Sequence, residues 1–227
     1  MTSRNSLSMP DFFFGSFSYT WPLYVICMGA YGLGSIPFGL LLSKIANTTD
    51  PRKIGSGNIG ATNVLRTGNK RLAGATLILD IGKGSVATFI ASFYGPDCAA
   101  AAALAVVLGH MFPLWLKFKG GKGVATTYGV ILVLSLPVGA ISALIWMVVA
   151  RISGFSSLAA IISLLSTPLV LTGMLALQRN EILPIEFPGT AQNIETFAIL
   201  ALLVIIRHSR NIQRLLTKTE PKISFRY

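Results

Sequence analysis

Long apolar runs separated by short polar connections form the dominant pattern of the chain. Most of the runs approach the roughly 20 residues that an α-helix needs to cross a bilayer. The second run contains Asp80 and Lys83, and the third contains His110. The pattern predicts an all-α integral membrane bundle, with clear spans over residues 21–46, 73–94, 98–118, 157–177 and 194–206.

A further apolar interval, 124–151, has a proline near its middle. It could form one kinked helix or two short helices hinged at Ser135-Leu136-Pro137, each of about 14 residues or roughly 21 Å. Basic residues cluster at 44–71, at 117–122, at Arg151 and after 206. Two helices would place all four clusters on one side, as the enrichment of Lys and Arg in cytoplasmic connections favours. We therefore predict seven transmembrane helices, with the N-terminus outside and the C-terminus cytoplasmic.

The composition agrees with a chain that is surrounded by membrane lipids. Hydrophobic residues make up 52% of the chain and charged residues 12%, whereas soluble domains carry about 25% charged residues. The net charge of +11 would suggest nucleic-acid binding in a soluble protein. Here the basic residues lie between apolar runs, so membrane orientation explains them better and we expect no nucleic-acid partner. An anionic substrate could use the same charges.

One membrane-embedded domain is predicted over residues 21–227, after an N-terminal extension over residues 1–20. The extension lacks a charged segment followed at once by an apolar one, so we predict no cleaved signal peptide. The polar connections expected on the cytoplasmic side are 47–72, 117–126, 151–157 and 207–227.

The first of these connections is rich in glycine, amide and hydroxyl groups. Its glycines formally match G-x-G-x-x-G, but they follow a membrane span instead of a strand, so we predict no dinucleotide fold. Glycines let successive backbone N–H groups converge on an anion, and Arg52, Lys53 and Arg66 add positive charge. A flexible turn is the plainer alternative. The candidate phosphate-binding residues are Gly55, Ser56, Gly57, Asn58, Gly60, Thr62 and Asn63.

The second connection contains Lys122 among Gly120, Gly121 and Gly123, just before a predicted helix. It is not a Walker A sequence, because Lys122 is followed by glycine and the upstream glycine spacing differs. A lysine at a helix N-terminus nevertheless forms an anion site. Basic anchoring of the membrane span is the alternative interpretation.

Further polar groups accompany these loops. Ser35 lies between Gly34 and Pro37, where the proline weakens the first span. Asp80 and Lys83 are spaced to pair within a span. His208 and Asn211 are spaced to share one helical face. Together, the polar groups of these loops and spans include no carboxylate pair, metal-ligand cluster or evident catalytic triad. Their cationic, hydroxyl and amide groups suit a phosphorylated substrate, and we expect neither a metal nor a cofactor.

These motifs, in this order, resemble the PlsY-type acyl-phosphate:glycerol-3-phosphate acyltransferase family of bacterial inner membranes. The matching segments are Gly34-Ser-Ile-Pro-Phe-Gly39, Gly55-Ser-Gly-Asn-Ile-Gly-Ala-Thr-Asn63, Leu79-Asp-Ile-Gly-Lys-Gly84, Gly109-His-Met-Phe-Pro113, Phe118-Lys-Gly-Gly-Lys-Gly-Val-Ala-Thr126 and Arg207-His-Ser-Arg-Asn211. They extend from about residue 21 to the C-terminus, and their combination is far more specific than any one of them.

The resemblance implies a seven-helix enzyme of the inner membrane whose active site faces the cytoplasm. It implies transfer of a fatty acyl group from acyl-phosphate to the 1-hydroxyl of glycerol-3-phosphate, giving lysophosphatidic acid without a cofactor. The positions that match the family's substrate-binding and catalytic residues are Ser35, Arg52, Lys122, Ser157, His208 and Asn211. Ser156 is an alternative to Ser157 at its position.

Two questions stay open at the level of sequence. The attacking hydroxyl must lose a proton, and either a substrate phosphate oxygen or His208 could accept it. A membrane transporter of an organic phosphate is the alternative function. It would need polar residues at mid-membrane depth, and Asp80 and Lys83 alone approach that requirement.

Overall fold

The computed structural model describes residues 17–184 and 188–223. Most of the predicted extension and residues 224–227 of the last predicted connection lie outside this part of the chain. The first helix begins at Phe17, inside the predicted extension. The helices are α1 (Phe17–Gly34), α2 (Phe38–Ile45), α3 (Ala61–Val64), α4 (Lys70–Ser92), α5 (Pro96–Met111), α6 (Val124–Leu134), α7 (Leu136–Ser153), α8 (Ser156–Arg179), α9 (Ala191–Arg207) and α10 (Ser209–Leu216).

Five helical segments of the described chain are long and apolar enough to cross a membrane. One combines α1 and α2 over 26 residues, and the others are α4, α8, α7 and α5 with its extension to Leu116. A sixth candidate is the pair α9 and α10, which is bent by 61°. The structure therefore confirms a helical, multi-pass membrane protein.

The middle apolar interval forms two helices, but their lengths are unequal. α6 has 11 residues and α7 has 18, so the prediction of two equal halves was wrong. Ser135 separates them in an extended conformation, with φ of −158°. Pro137 lies in the first turn of α7, where its missing N–H leaves no intrahelical hydrogen bond unmade.

The first span is also interrupted where proline was expected to weaken it. α1 ends at Gly34 and α2 begins at Phe38, with Pro37 as the preceding residue. The break leaves the carbonyl of Ile36 outside the regular helical pattern, and Lys83 Nζ donates a hydrogen bond to it at 3.0 Å. This part-buried carbonyl, which also accepts from the Phe38 N–H at 3.1 Å, thus receives a side-chain partner at the break.

Lys83 also pairs with Asp80, as their spacing predicted. The Lys83 Nζ to Asp80 Oδ1 distance is 2.8 Å, and the two side chains are 1% and 2% exposed. His110 Nδ1 lies 3.5 Å from the same carboxylate oxygen. Removing either partner would leave a buried charge uncompensated, which costs about 3–5 kcal/mol.

Small residues allow the helices around α5 to approach closely. Ala99, Ala102 and Ala103 on α5 are fully or almost fully buried. Gly34 of α1 packs so tightly against the Val106 backbone that a Cβ there would overlap with the Val106 carbonyl. Close backbone packing through small residues is the usual way in which helices associate in lipid, where burial of apolar surface gives no advantage.

Candidate active site

The first glycine-rich loop is folded around the side chain of Asn63. Asn63 Nδ2 donates to the carbonyl oxygens of Pro51 at 2.6 Å and Asn58 at 2.7 Å, and Asn63 Oδ1 accepts from the Ser56 backbone N–H at 3.0 Å. Gly55 and Gly57 have positive φ angles of 53° and 69°. The buried amide of Asn63, one of the predicted phosphate-binding residues, therefore shapes the loop.

Two arginines of this region have different surroundings. Arg52, a predicted site residue, is exposed and pairs with Asp50, with Arg52 Nη2 2.6 Å from Asp50 Oδ2. Its hydrogen bond holds the pKa of the Asp50 carboxyl below its usual range. Arg66 lies further inside, where Nη1 donates to Asn63 Oδ1 at 3.1 Å and Nη2 approaches the Pro221 carbonyl at 3.4 Å. Arg66 therefore connects the first loop to the C-terminal segment.

The second glycine-rich loop is held against the end of α5. The Gly120 and Gly121 N–H groups donate to the carbonyls of Met111 at 3.1 Å and His110 at 3.0 Å. The carbonyls of both glycines accept hydrogen bonds from Arg207. Gly123 precedes α6 with a left-handed φ of 80°. Lys122 is thereby fixed immediately before a helix N-terminus, as the sequence predicted.

Residues from α8 and α10 converge on the carboxylate of Glu220. Ser157 Oγ and Asn211 Nδ2 each donate to Glu220 Oε1 at 2.6 Å. Arg214 Nε donates to Glu220 Oε2 at 2.7 Å. The Ile223 N–H donates to the Gly154 carbonyl at 2.7 Å and fixes the returning segment beside α8. This group of donors binds an oxyanion in the structure, so its chemistry is suited to a phosphate.

His208 lies at the junction between α9 and α10 and is 2% exposed. Its Nδ1 is 2.7 Å from the Val204 carbonyl oxygen. Because a carbonyl can only accept, Nδ1 carries the hydrogen and Nε2 of the neutral ring keeps a lone pair. The helix bends by 61° at His208, which ends α9 and directly precedes α10, the helix that carries Asn211. Both side chains are nevertheless buried.

Lys122 lies in a cluster of charged groups. The pKa of Lys122 falls to about 8, chiefly because of burial, while the Glu220 carboxylate raises it. The guanidinium groups of Arg214, Arg66 and Arg207 lower it further. Burial alone would raise the pKa of Glu220, but hydrogen bonds from Ser157, Asn211 and Arg214 outweigh burial and hold it below its usual range. The cluster thus combines an ionised carboxylate with several cations.

This pKa predicts an alkaline limit to activity. Binding of an anion needs the charged form of Lys122, so kcat/KM should decline as the pH rises through about 8. Glu220→Gln removes the carboxylate that favours the charged form of Lys122. The decline of kcat/KM at alkaline pH, its alkaline limb, should therefore move to lower pH. A kcat/KM profile from pH 6 to 10 tests both statements; an unchanged limb in Glu220→Gln would contradict them.

Ser35 contacts the end of α5, which in turn contacts the second loop. Its backbone is packed against Gly109, where a Cβ would lie 3.0 Å from the Ser35 nitrogen. The next residue, His110, has its ring packed against Gly121. Ser35 is 1% exposed, and within the described residues its Oγ has no hydrogen-bond partner. The hydrogen-bonding capacity of this buried hydroxyl is therefore unused among the described residues.

The structure also distinguishes the two serines at the start of α8. Ser157 is buried and bonds Glu220, whereas Ser156, the first residue of α8, is half-buried. We expect Ser157→Ala to reduce kcat/KM by about 10- to 100-fold, because it removes a hydrogen bond to a charged group. Ser156→Ala is the matched control and should stay within about threefold of the unmodified protein. Equal losses in initial rate assays would contradict this assignment.

Three charged residues of the cluster were not predicted as site residues, namely Arg207, Arg214 and Glu220, and Arg66 was predicted only to add positive charge to the first loop. Arg214 could have been found, because it follows Asn211 by three residues and so lies on the same face of a helix. Glu220 is the single acidic residue between 207 and 227 in a strongly basic segment. Its contact with Ser157 joins positions 63 residues apart, which no local pattern indicates.

Comparisons with known proteins show which family and fold the chain resembles. A family model described as glycerol-3-phosphate acyltransferase matches residues 24–218. Proteins with the same description from Brucella anthropi and Mesorhizobium japonicum are 50% and 48% identical to the chain. The alignments cover 85% and 90% of this chain and 89% and 97% of those relatives.

Two crystal structures of PlsY (YgiH), an integral membrane glycerol 3-phosphate acyltransferase, have a similar fold. The glycerol 3-phosphate form has a TM-score of 0.79 and 34% identity, over 89% of this chain and 96% of that one. The lysophosphatidic acid form has a TM-score of 0.77 and 34% identity, over 88% and 95%.

Proposed function

This chain belongs to the glycerol-3-phosphate acyltransferase family, and we propose that its acyl donor is an acyl-phosphate. It is an enzyme that transfers a fatty acyl group to glycerol-3-phosphate and gives lysophosphatidic acid in the first step of phospholipid synthesis. The single observation that supports a phosphorylated donor is the group of oxyanion donors around Glu220, beside Lys122.

An acyl-phosphate matches a site of this composition. Its phosphate is a good leaving group, so the reaction needs charge stabilisation and positioning more than a strong general acid. The site is rich in lysine, arginine, hydroxyl and amide donors, and Glu220 is bound by them instead of standing free as an acid.

In the proposed reaction, the 1-hydroxyl oxygen of glycerol-3-phosphate attacks the acyl carbonyl carbon. A new C–O ester bond forms, and the bond between the acyl carbon and the phosphate oxygen breaks. The hydroxyl proton passes to a phosphate oxygen or to His208 Nε2, whose lone pair is left available by the bond from Nδ1 to Val204. Inorganic phosphate leaves.

We assign the phosphate contacts to the two loops and the helical junction. Lys122 stabilises negative charge on the leaving phosphate, assisted by Ser157 and Asn211. The first loop, with Arg52, would bind the second phosphate group, and Ser35 would contact the reacting end of a substrate. The remaining loop residues proposed for phosphate contact are Gly55, Ser56, Gly57, Asn58, Gly60, Thr62 and Gly123, whereas Asn63, Gly120 and Gly121 shape the loops through their own hydrogen bonds.

We also propose seven membrane spans, with the N-terminus outside and the active site facing the cytoplasm of a bacterial inner membrane. α6 supplies the seventh span and is short, at 11 residues or about 16 Å. Gln192 Nε2 donates to Asp97 Oδ1 at 2.6 Å at the start of α9 and α5, whereas the motif loops meet at the opposite ends of these helices. The basic clusters therefore share one side, which supports a cytoplasmic assignment.

Cysteine labelling tests this topology. In a chain with Cys27 and Cys98 replaced by alanine, we expect an impermeant maleimide to modify Asp97→Cys on intact cells. Arg151→Cys should react only after the membrane is permeabilised. Modification of Arg151→Cys on intact cells would overturn the proposed orientation.

Proteoliposomes distinguish this enzyme from the alternative, a transporter of an organic phosphate. With labelled glycerol-3-phosphate and acyl-phosphate outside, we expect labelled lysophosphatidic acid to form in the membrane. Accumulation of unchanged glycerol-3-phosphate inside the vesicles, without product, would favour transport and contradict the proposal.

A further inference from the structure

Arg207, the last residue of α9, is bound to the backbone of the second glycine-rich loop. Its Nη2 donates to the carbonyl oxygens of Gly120 and Gly121, both at 3.1 Å, and its Nε donates to Gly121 O at 3.2 Å. The guanidinium carbon lies 5.0 Å from the centre of the Phe112 ring. A planar guanidinium makes such paired contacts together with stacking, and a lysine ammonium does not reproduce them.

These contacts complete the attachment of the loop. On one side, the N–H groups of Gly120 and Gly121 donate to carbonyls at the end of α5. On the other side, both glycine carbonyls are bound by Arg207. The backbone immediately before Lys122 is therefore fixed in two directions, and its carbonyl dipoles are directed towards a cation instead of an approaching phosphate.

The position of Arg207 in the chain gives this attachment a consequence for the whole site. The next residue is His208, and α10 then presents Asn211 and Arg214 to the Glu220 carboxylate. Lys122 lies in the loop before α6, whereas these groups lie at the α9–α10 junction. The guanidinium joins the two parts at hydrogen-bond distance.

We propose that Arg207 is a positioning residue for acyl transfer, which holds the Lys122 loop against the α9–α10 junction so that Lys122, His208 and Asn211 face one substrate. The inference rests on the proposed function. Arg207 acts through the loop: the bonds from Nε and Nη2 end on backbone carbonyls.

The alternative is that Arg207 only anchors the end of a span, as basic residues at the cytoplasmic boundary commonly do. Arg210 provides the matched comparison, because it lies three residues later on α10 and its side chain is exposed. Anchoring predicts similar effects for the same substitutions at both positions. Positioning predicts an effect at Arg207 alone.

The test compares Arg207→Lys and Arg207→Gln with Arg210→Lys and Arg210→Gln in purified protein. For Arg207→Lys we expect kcat to fall about 10- to 100-fold, because a small displacement of Lys122 affects the transition state strongly. KM for glycerol-3-phosphate should change by less than about threefold. The Arg210 variants should retain unmodified rates.

A second measurement separates positioning from general damage. A displaced loop hydrates Lys122, so the alkaline limb of kcat/KM should move above the limit of about 8 in Arg207→Lys, although the charge at 207 is kept. Added guanidinium or methylguanidine should partly restore kcat in Arg207→Gly. If Arg207→Gln fails to fold, Arg207→Lys and the rescue experiment decide.

The proposal is overturned if Arg207→Lys keeps both the rate and the alkaline limb of the unmodified protein, or if Arg210→Lys loses as much activity. Failure of the proposed donor would be seen separately, in the unmodified protein: acyl-phosphate would give no product. The Arg207 comparison is then made with the donor that supports turnover.

Discussion

Lys122→Met should reduce the rate of lysophosphatidic acid formation by about 100- to 1,000-fold, the usual cost of removing one preorganised group that stabilises developing negative charge. Lys122 is half-buried beside Glu220 and next to the N-terminus of α6. Methionine keeps the length and apolar character of the side chain but removes its charge. Steady-state rates with glycerol-3-phosphate and acyl-phosphate measure the effect.

Lys117→Met is the matched control for this variant. Lys117 lies in the same connection, but its side chain is exposed and its backbone precedes the glycines that bind α5. We expect its rate to stay within about twofold of the unmodified protein. Lys122→Arg, which keeps the charge in a larger side chain, should fall between the two. More than half of the normal rate in a folded Lys122→Met protein would refute the assigned role.

Gly120→Ala should lower kcat/KM for glycerol-3-phosphate by about 100-fold, although it adds a single methyl group. A Cβ at Gly120 would overlap with the His110 carbonyl and lie 2.8 Å from the Met111 carbonyl oxygen. Both are backbone atoms of α5, so the loop has to move, and with it Lys122. Displacement of a catalytic group by about 1 Å costs about this much activity.

Gly74→Ala provides the comparison for the added methyl group. A Cβ at Gly74 meets no atom of the described residues within 4 Å, and alanine stabilises a helix interior by about 1 kcal/mol relative to glycine. This variant should keep its activity and unfold at the same or a higher temperature. An active Gly120→Ala protein, or an inactive Gly74→Ala protein, would show that loop position is not what limits activity.

The helices were predictable because their determinants are local. Pro37 and Pro137 each lie at a helix start, and the apolar runs between charged connections correspond to the long helices. The lengths of α6 and α7 were not predictable. They depend on Ser135, whose extended backbone ends α6, and on Gly123, whose left-handed conformation begins it.

The candidate site was predictable in its residue types and less so in its contacts. Lys122, Ser157 and Asn211, which the motifs predicted to share one pocket, lie near the carboxylate of Glu220. The exposed pair of Arg52 and Asp50, and the inward position of Arg66, depend on how Asn63 folds the first loop. The carboxylate itself comes from Glu220, which reaches Ser157 only after the chain turns back behind α10. Such contacts are set by tertiary structure, and no periodicity indicates them.

A donor comparison on the purified enzyme tests the central claim most directly. Initial rates of lysophosphatidic acid formation would be measured with glycerol-3-phosphate and equal concentrations of acyl-phosphate, acyl-CoA or acyl carrier protein carrying the same acyl chain. We predict product with acyl-phosphate, release of one inorganic phosphate per product, and no turnover with the two thioesters. Turnover with acyl-CoA and none with acyl-phosphate would contradict the account.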